Sequence, residues 1–331
     1  MRLFPITLCA IAGLTLPAHA EVPAVVASIK PIHALVATAM GELGTPALIV
    51  DGSGSPHTYS LKPSDAEALE AADLVFWTGP SFELFLREAL PSLSADAQIV
   101  ALADAPGLEL LPVRAGGAFE AHEHHDHDEH EHEHEHEHEH EGGAEDDGHG
   151  NDQHDHADGE MDLHFWLDPQ NGRLMLQAIA AALAEVDPDN AATYAANAAA
   201  GAADLADLEQ ELREALAPVA DQRFIVFHDA YQYFERRFGL EAAGSITVSP
   251  DTMPGARRIG ELRQHISDTG VVCVFAEPQF EPSIIAAIIE GTEARAGMLD
   301  PEGAGLEPGP EMYQALLRGL ADDFTDCLSG S

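Results

Sequence analysis

The amino-acid sequence predicts an α/β protein of two lobes, each a parallel sheet flanked by helices, with one long rigid helix joining them. Three observations carry this prediction. Short apolar runs alternate with longer helical stretches before residue 110, and the same alternation returns after residue 218. Between the two halves, residues 187–217 are rich in Ala, Leu and Glu. A chain of 331 residues is also longer than one hydrophobic core usually serves.

In the first lobe, short apolar runs predict strands, and the stretches between them predict helices. Ser64 is expected to cap one of these helices, with Glu67 three residues further on. The predicted strands are residues 24–28, 48–50, 74–77 and 99–101, and the predicted helices are residues 64–71 and 82–90. Strands that alternate with helices in this way form parallel βαβ units.

The connecting helix and the second lobe follow the same reasoning. Asp187 is expected as the N-cap of the connecting helix, with Pro188 at its first helical position. At ~1.5 Å per residue, such a helix is over about 40 Å long, enough to run along both lobes. In the second lobe the predicted strands are residues 224–227 and 271–275, and the predicted helices are residues 230–238, 257–269 and 283–292.

The first twenty residues predict export. Arg2 precedes an apolar run that ends at Leu16, and Ala18-His19-Ala20 has the small-x-small pattern of a signal-peptidase site. The run is shorter than the ~20 residues that a membrane-spanning helix needs, which disfavours the alternative of a retained anchor. We therefore expect cleavage after Ala20, a periplasmic mature chain, and lobes at residues 21–186 and 218–331 around a linker helix at 187–217.

Cysteine usage and net charge add two constraints. After removal of the leader, Cys273 and Cys327 are the only cysteines, and such a pair in an oxidising compartment predicts a disulfide. The alternative is two separate buried thiols. The formal net charge of −43 disfavours nucleic acid and anionic membrane surfaces as partners and favours cations.

Residues 120–160 form an insertion in the first lobe that is rich in His, Asp and Glu. The insertion has no Lys or Arg and almost no apolar residue, so it cannot offset its ordering entropy and is expected to be disordered. Its imidazoles and carboxylates predict many weak metal sites, although a solubilising linker is the alternative. Thirteen of the nineteen histidines lie there: His122, His124, His125, His127, His130, His132, His134, His136, His138, His140, His149, His154 and His156.

Three further histidines are candidates for a preformed metal site. His57 and His228 follow predicted strands, and His164 follows the insertion. Each alone is more often an ordinary polar side chain than a ligand. Ligands of parallel sheets bind at the carboxyl ends of strands, so the placement of the three histidines in loops of both lobes predicts a metal cleft between the lobes. His33 is expected on a helix face rather than in that cleft.

Several ordered motifs carry a family resemblance that covers nearly all of the mature chain. They are Ser55-Pro-His-Thr-Tyr-Ser-Leu-Lys-Pro-Ser-Asp65, Ala72-Asp-Leu-Val-Phe-Trp77, His164-Phe-Trp-Leu-Asp-Pro169, Phe227-His-Asp-Ala-Tyr231 and Phe275-Ala-Glu-Pro-Gln-Phe280. Together they resemble the zinc-specific solute-binding proteins of bacterial ABC importers, in cluster A-I, the TroA-like family with rigid linker helices. The acidic His-rich insertion also lies where that family carries one.

The resemblance implies that the three histidines are the zinc ligands. Manganese-binding relatives place a carboxylate at the third position, so His228 favours zinc. Some zinc members have Glu immediately before the first His, where this chain has Pro56. The resemblance therefore leaves the fourth ligand open between Asp300 and water, with Glu277 a lesser candidate whose other role is to orient a His by a hydrogen bond.

The function implied is binding without turnover: capture of Zn²⁺ in the periplasm by a monomer and delivery to an inner-membrane ABC permease with its ATPase. A periplasmic zinc chaperone is a further candidate partner. The insertion is expected to scavenge zinc or to sense its excess.

The alternative functions are a manganese or iron carrier, a zinc buffer or chaperone dominated by the insertion, and a zinc hydrolase with Glu277 as base. No predicted helix carries a His-Glu-x-x-His motif that would support the hydrolase.

Overall fold

The computed structural model describes residues 22–52, 54–114, 118–119, 161–247, 253–279 and 282–330. The leader expected at residues 1–20 and all thirteen histidines of the insertion lie outside the described residues. Within the described part of the chain, no helix combines the length and the apolar character that crossing a membrane requires.

The first sheet has four parallel strands in the order β2-β1-β3-β4. Its two inner strands are buried along their whole length, which explains their unbroken apolar sequences. The strands are β1 (Val25–Ile29), β2 (Ala47–Val50), β3 (Leu74–Trp77) and β4 (Gln98–Ala101), and the helices of this half are α1 (Lys30–Met40), α2 (Pro63–Glu70), α3 (Leu84–Leu93) and α4 (Pro169–Val186).

A two-stranded antiparallel ribbon stands apart from this sheet. It consists of β5 (Leu111–Pro112) and β6 (Met161–Asp162), so it brings together the two ends of the chain segment that contains the insertion.

The second sheet also has four parallel strands, in the order β10-β9-β7-β8. Its strands are β7 (Phe224–His228), β8 (Ala242–Thr247), β9 (Cys273–Ala276) and β10 (Arg295–Met298), and its helices are α6 (Gln232–Phe238), α7 (Ala256–Thr269), α8 (Pro282–Ile289) and α9 (Met312–Ser329). Alternate residues of β7 face two different buried clusters, as a strand covered on both faces requires.

Helix α5 (Ala191–Leu216) joins the two halves and contacts both. Its 26 residues make a rod of about 39 Å. At Gly201 a Cβ atom would lie 2.8 Å from Thr38 of α1, so glycine permits the close approach of these two helices. One buried cluster runs continuously from the first sheet through α5 to α9, which makes the connection stiff. The predicted fold class is thus confirmed.

Two helix starts differ from the sequence predictions. Helix α2 begins at Pro63 with Lys62 as its N-cap residue, and the Asp65 carboxylate accepts the Lys62 N–H at 2.8 Å, so Ser64 is not the cap. A proline has no N–H to leave unpaired and therefore suits the first helical position. Helix α5 begins at Ala191, because the preceding Pro188–Asn190 segment forms a 3₁₀ turn.

The predicted disulfide is present between Cys273 and Cys327, whose Cα atoms are 6.1 Å apart. It joins the first residue of β9 to α9 and so ties the C-terminal helix to the second sheet.

Candidate metal centre

His57 lies in the loop that follows β2. Its ring stands edge-on to Phe82, with ring centroids 4.6 Å apart, and its backbone N–H donates to the Ser55 hydroxyl at 3.3 Å. The Nε2 atom of His57 is buried and finds no hydrogen-bond partner among the residues that the structure describes. A buried nitrogen without a partner is unfavourable in a metal-free protein, and a ligand position explains it.

His164 lies two residues after the end of β6 and precedes the 3₁₀ turn Phe165–Leu167 as its N-cap residue. The Asp162 carboxylate holds it twice: Oδ1 accepts the His164 backbone N–H at 3.0 Å and lies 2.8 Å from Nδ1. His164 is 9% exposed and packs beside Phe82 and Trp166. With Nδ1 engaged by a carboxylate, Nε2 is the ring atom left to bind a metal.

His228 is the last residue of β7, and its partner comes from the neighbouring strand. Its Nδ1 lies 2.6 Å from Oε1 of Glu277, the residue after β9. Phe224 pairs with Cys273 in the parallel register of β7 and β9, so the residues four positions further along, His228 and Glu277, come side by side. The sheet register therefore builds this contact.

The three predicted histidines converge. One nitrogen from each lies within 4.8 Å of the others, and His164 and His228 face each other with 3.4 Å between their Nε2 atoms. Two nitrogens bound to one tetrahedral Zn²⁺ at 2.0–2.1 Å are about 3.3 Å apart, so this pair already has the spacing of a zinc site. The His57 ring centroid is further away, 5.8 Å from that of His164 and 6.1 Å from that of His228.

The protonation of the three rings follows from their surroundings. Burial lowers the pKa of His57 to about 2, with smaller contributions from the two neighbouring histidines. Burial also lowers the pKa of His164 well below its usual value. Burial also acts to lower the pKa of His228, but the Glu277 carboxylate, together with Asp229 and Asp162, raises the pKa of this ring above its usual value. Two rings are thus neutral and ready to coordinate, as a metal site needs.

The other candidate residues are placed differently. Asp300 is not part of the histidine group found among the described residues; its carboxylate accepts backbone N–H groups of Glu302, Gly303 and Ala304 at 2.6 to 3.1 Å. His33 is buried on α1, where its Nε2 lies 3.1 Å from the Pro46 carbonyl oxygen. Pro46 precedes β2, whereas His57 follows it, so His33 lies at the opposite end of that strand.

Sequence reasoning did not single out Asp162. The available signal was its position, because an acidic residue two before a histidine can reach back to the ring. That signal is weak alone, since acidic residues are frequent throughout this chain, and only the contact with His164 reveals the role.

Two stiffly connected α/β lobes with three converging imidazoles define the class: a metal-binding protein of the rigid-helix, two-lobed architecture. The family model described as "Zinc-uptake complex component A periplasmic" (ZnuA) matches residues 25–327, and the chain belongs to this family.

Individual relatives agree with the family assignment. The chain is 54% identical over 305 residues to the "High-affinity zinc uptake system protein ZnuA" of Brucella suis, covering 92% of this chain and 91% of that one. It is 45% identical over 320 residues to the protein of the same name from Paracoccus denitrificans, covering 96% of each chain.

Solved structures agree as well. The fold resembles a crystal structure of ZnuA with a TM-score of 0.72 at 26% identity, covering 93% of this chain and 100% of that chain. It also resembles a zinc-bound deletion mutant of ZnuA with a TM-score of 0.68 at 26% identity, covering 93% of this chain and 98% of that one.

Proposed function

We propose that this protein captures Zn²⁺ with high affinity in the periplasm and delivers it to an inner-membrane ABC permease with its ATPase. The single observation that carries the proposal is the convergence of His57, His164 and His228, two of which face each other at 3.4 Å. The names of the relatives support zinc uptake as the setting. Cleavage after Ala20 and a monomeric mature chain belong to the same proposal.

Zinc is the metal that the donor set favours. Imidazole is a borderline ligand that suits Zn²⁺, whereas Mn²⁺ prefers carboxylate and carbonyl oxygens. The group of facing donors contains three nitrogens and no carboxylate. Both carboxylates that touch the ligands, Asp162 and Glu277, bond to the Nδ1 atoms and so act on the metal through the rings.

Asp300 stays a candidate for the fourth ligand, with water as the alternative. Its carboxylate already accepts three backbone N–H groups, and coordination would require a change in that loop. Glu277 is the weaker candidate, because its Oε1 bonds to His228. If Asp300 binds the metal, Asp300→Asn weakens zinc affinity severalfold or more; an unchanged affinity in Asp300→Asn favours water.

The His-rich insertion, residues 120–160, is proposed as an accessory zinc binder that scavenges the metal or senses its excess. Because ordering of the chain accompanies each coordination event, its sites are expected to be weaker than the preformed centre. A periplasmic zinc chaperone would be a further partner of this segment.

Binding without turnover is proposed over hydrolysis. A hydrolase needs a base free to take a proton from a metal-bound water. Glu277, the candidate base, is 2% exposed and is engaged by His228. Hydrolysis of an ester or peptide with multiple turnovers, lost in His57→Ala, would contradict the proposal.

The decisive test is a competition titration against a chromophoric chelator, with the full chain and with a variant lacking residues 120–160. We expect one tight zinc site in both proteins and loss of only the weak sites on deletion. Tighter binding of Mn²⁺ than of Zn²⁺ would overturn the metal assignment. Disappearance of tight binding together with the insertion would overturn the role of the three histidines.

A further inference from the structure

The chain segment that leads towards the insertion lies against the metal centre. Ribbon β5–β6 pairs Leu111 with Asp162, the residue whose carboxylate holds His164. The two ends of the intervening segment therefore meet at one ligand of the site, and whatever fixes β5 also fixes the position of Asp162.

Helix α6 holds the ribbon from the side of the second sheet. The Tyr233 hydroxyl donates to the Asp162 carbonyl at 2.7 Å and accepts the Leu111 N–H at 2.8 Å. The Gln232 amide donates to the Pro112 carbonyl at 3.1 Å. Because α6 begins four residues after His228, the chain segments that carry His164 and His228 meet at this ribbon.

Arg114, two residues beyond β5, makes the strongest of these links. Its guanidinium donates to both oxygens of Asp229, the residue after His228, with Nε to Oδ2 at 3.0 Å. The same group donates to both oxygens of Glu235 at 2.8 Å. The side chains of Arg114, Asp229 and Glu235 are only 23%, 10% and 4% exposed, so water screens these ion pairs little.

The segment beyond Arg114 is held as well. The Arg114 guanidinium lies 4.3 Å from the ring centroid of Phe119, and the Ala118 carbonyl accepts the Ser245 N–H of edge strand β8 at 3.3 Å. A Cβ atom at Gly244 would lie 2.5 Å from the Cβ of Ala118, so the two backbones are in close contact. The segment that contains Arg114 is thus attached to the second half of the molecule at two places: at Asp229 and Glu235 through Arg114, and at β8 through Ala118.

We infer that Arg114 is a positioning residue of the metal centre, which fixes the ribbon carrying Asp162 and His164 against the turn carrying His228 and Asp229. Its planar fork bonds two carboxylates at once, which a lysine cannot reproduce. The 3.4 Å separation of the His164 and His228 Nε2 atoms then depends on a residue that touches neither ring. This inference rests on the proposed zinc function.

The other explanation is that Arg114 only stabilises the fold. A matched control separates the two. Arg237 is similarly buried, with 29% of its side chain exposed, and bonds both oxygens of Asp168 at 2.7 Å. Within the described part of the chain, the polar contacts of Arg237 are with Asp168, Glu209 and Arg213, and none of these residues lies in the ribbon or next to one of the three histidines. Arg237→Gln therefore removes a comparable buried ion pair without disturbing the proposed link.

The experiment compares full-length wild type, Arg114→Gln, Arg114→Lys and Arg237→Gln. Zinc affinity is measured by chelator competition, zinc release by stopped flow into excess chelator, and the unfolding midpoint on the metal-free proteins. For Arg114→Gln we expect affinity to fall by about 10–100-fold, the range found when a partner of a metal ligand is lost, mainly through faster release. The zinc affinity of Arg114→Lys should lie between those of wild type and Arg114→Gln. Arg237→Gln should lower only the unfolding midpoint and leave zinc affinity unchanged.

Wild-type affinity and release in Arg114→Gln would overturn the inference, as would an equal loss of affinity in Arg237→Gln. If Arg114→Gln fails to fold, the test rests on Arg114→Lys. Wild-type zinc affinity and release rate in Arg114→Lys would contradict the role of the Arg114 guanidinium, and faster zinc release would support it. A wild-type chain without tight zinc binding would sink the proposed function and this inference together, an outcome distinct from the first two.

Discussion

His164 and His228 are held differently from His57. Each of the first two rings has Nδ1 against a buried carboxylate, Asp162 or Glu277, and their Nε2 atoms are 3.4 Å apart. His57 lies in a loop, its Nε2 has no partner, and its ring centroid is 5.8 and 6.1 Å from those of the other two. The proposed site thus has two histidines oriented by carboxylates and a third histidine held by packing and by the hydrogen bond from its backbone N–H to Ser55.

The difference has a consequence for capture and release. A ring whose Nδ1 is bonded to a carboxylate loses little side-chain freedom when the metal binds, whereas a ring without such a bond loses more. We expect zinc to meet the His164–His228 pair first and His57 to complete the site. A docking partner that moves the loop after β2 would remove one ligand and loosen the metal without separating the lobes, which α5 holds together.

The largest effect should come from the ligands themselves. His228→Ala and His164→Ala are expected to weaken zinc binding by more than the roughly 10–100-fold that loss of a ligand's partner causes. His57→Ala should cost less, because the oriented pair remains. Chelator competition on the three variants gives the order, and a larger loss in His57→Ala than in His228→Ala would contradict the comparison.

The next effect concerns the carboxylates that orient the pair. Glu277→Gln and Asp162→Asn keep the size of the side chain but remove the charge that fixes each ring, so zinc affinity should fall by about 10–100-fold. Glu211→Gln, which removes an exposed carboxylate bonded to Arg318, is the matched control and should retain wild-type affinity. Retained affinity in both site variants would mean that the rings are held by packing alone.

A smaller effect is expected on the loop ligand. Phe82 stands edge-on to His57 with 4.6 Å between ring centroids, and an aromatic pair of this kind is worth about 1 kcal/mol. Phe82→Leu keeps apolar volume but removes this contact and the ring contact of Phe82 with His164, so zinc affinity should fall at least roughly fivefold. Phe85→Leu, which loses the ring contact to Tyr59 instead, is the control. An equal loss in both would point to general loosening of the loop.

The last prediction is a substitution that should change stability but not zinc binding: Asp323→Asn in α9. Burial, with the nearby Asp326, Asp322 and Asp300, raises the pKa of this carboxyl to about 6. Between about pH 4 and pH 6 the Asp323 carboxyl is therefore ionised in the unfolded chain but still protonated in the folded protein. The free energy of unfolding falls as pH rises through this range. Asp323→Asn should raise the free energy of unfolding at pH 7.5 by about 1 kcal/mol after allowance for partial exposure, and by little below pH 4.

Denaturant unfolding at the two pH values checks the stability of Asp323→Asn, and chelator competition checks its zinc affinity. A change in the zinc affinity of Asp323→Asn would show that a change in stability alone alters zinc binding. The affinity differences predicted above could then not be assigned to the metal centre.

Patterning predicted the elements that are buried on both faces and bounded by turns. Strand β3 matches its prediction residue for residue, and β2 begins one residue earlier than predicted. It did not predict β8 (Ala242–Thr247) or β10 (Arg295–Met298), because small and charged residues hide their strand character. Helix α1 was expected only as the helix that carries His33, because it is buried almost all round and so lacks the amphipathic period that would mark its bounds. Helices α4 and α9 were not predicted.

The convergence of His57 and His228 was predictable because each follows a parallel strand, and parallel strands present their ligand-binding loops at their carboxyl ends. His164 follows no strand of a parallel sheet, and its signal was the family motif around it. The carboxylates behind them were only partly predictable. Glu277 was a candidate for orienting a histidine, but its pairing with His228 follows from the register of β7 and β9, which no local pattern states.

The sequence by itself determined the class of fold, the disulfide pair and the choice of the three histidines that the structure brings together, because each depends on residue type, on position along the chain or on a family motif. Only the tertiary structure decided that two imidazoles are oriented and one is not, that the Asp300 carboxylate accepts three backbone N–H groups, and that Arg114 reaches Asp229 across 115 positions. The contacts of His228 with Glu277 and of Arg114 with Asp229 depend on distances between segments far apart in the chain, which packing sets. The contacts of Asp162 and Asp300 are local, but they depend on the backbone conformation of their loops, which no sequence pattern states.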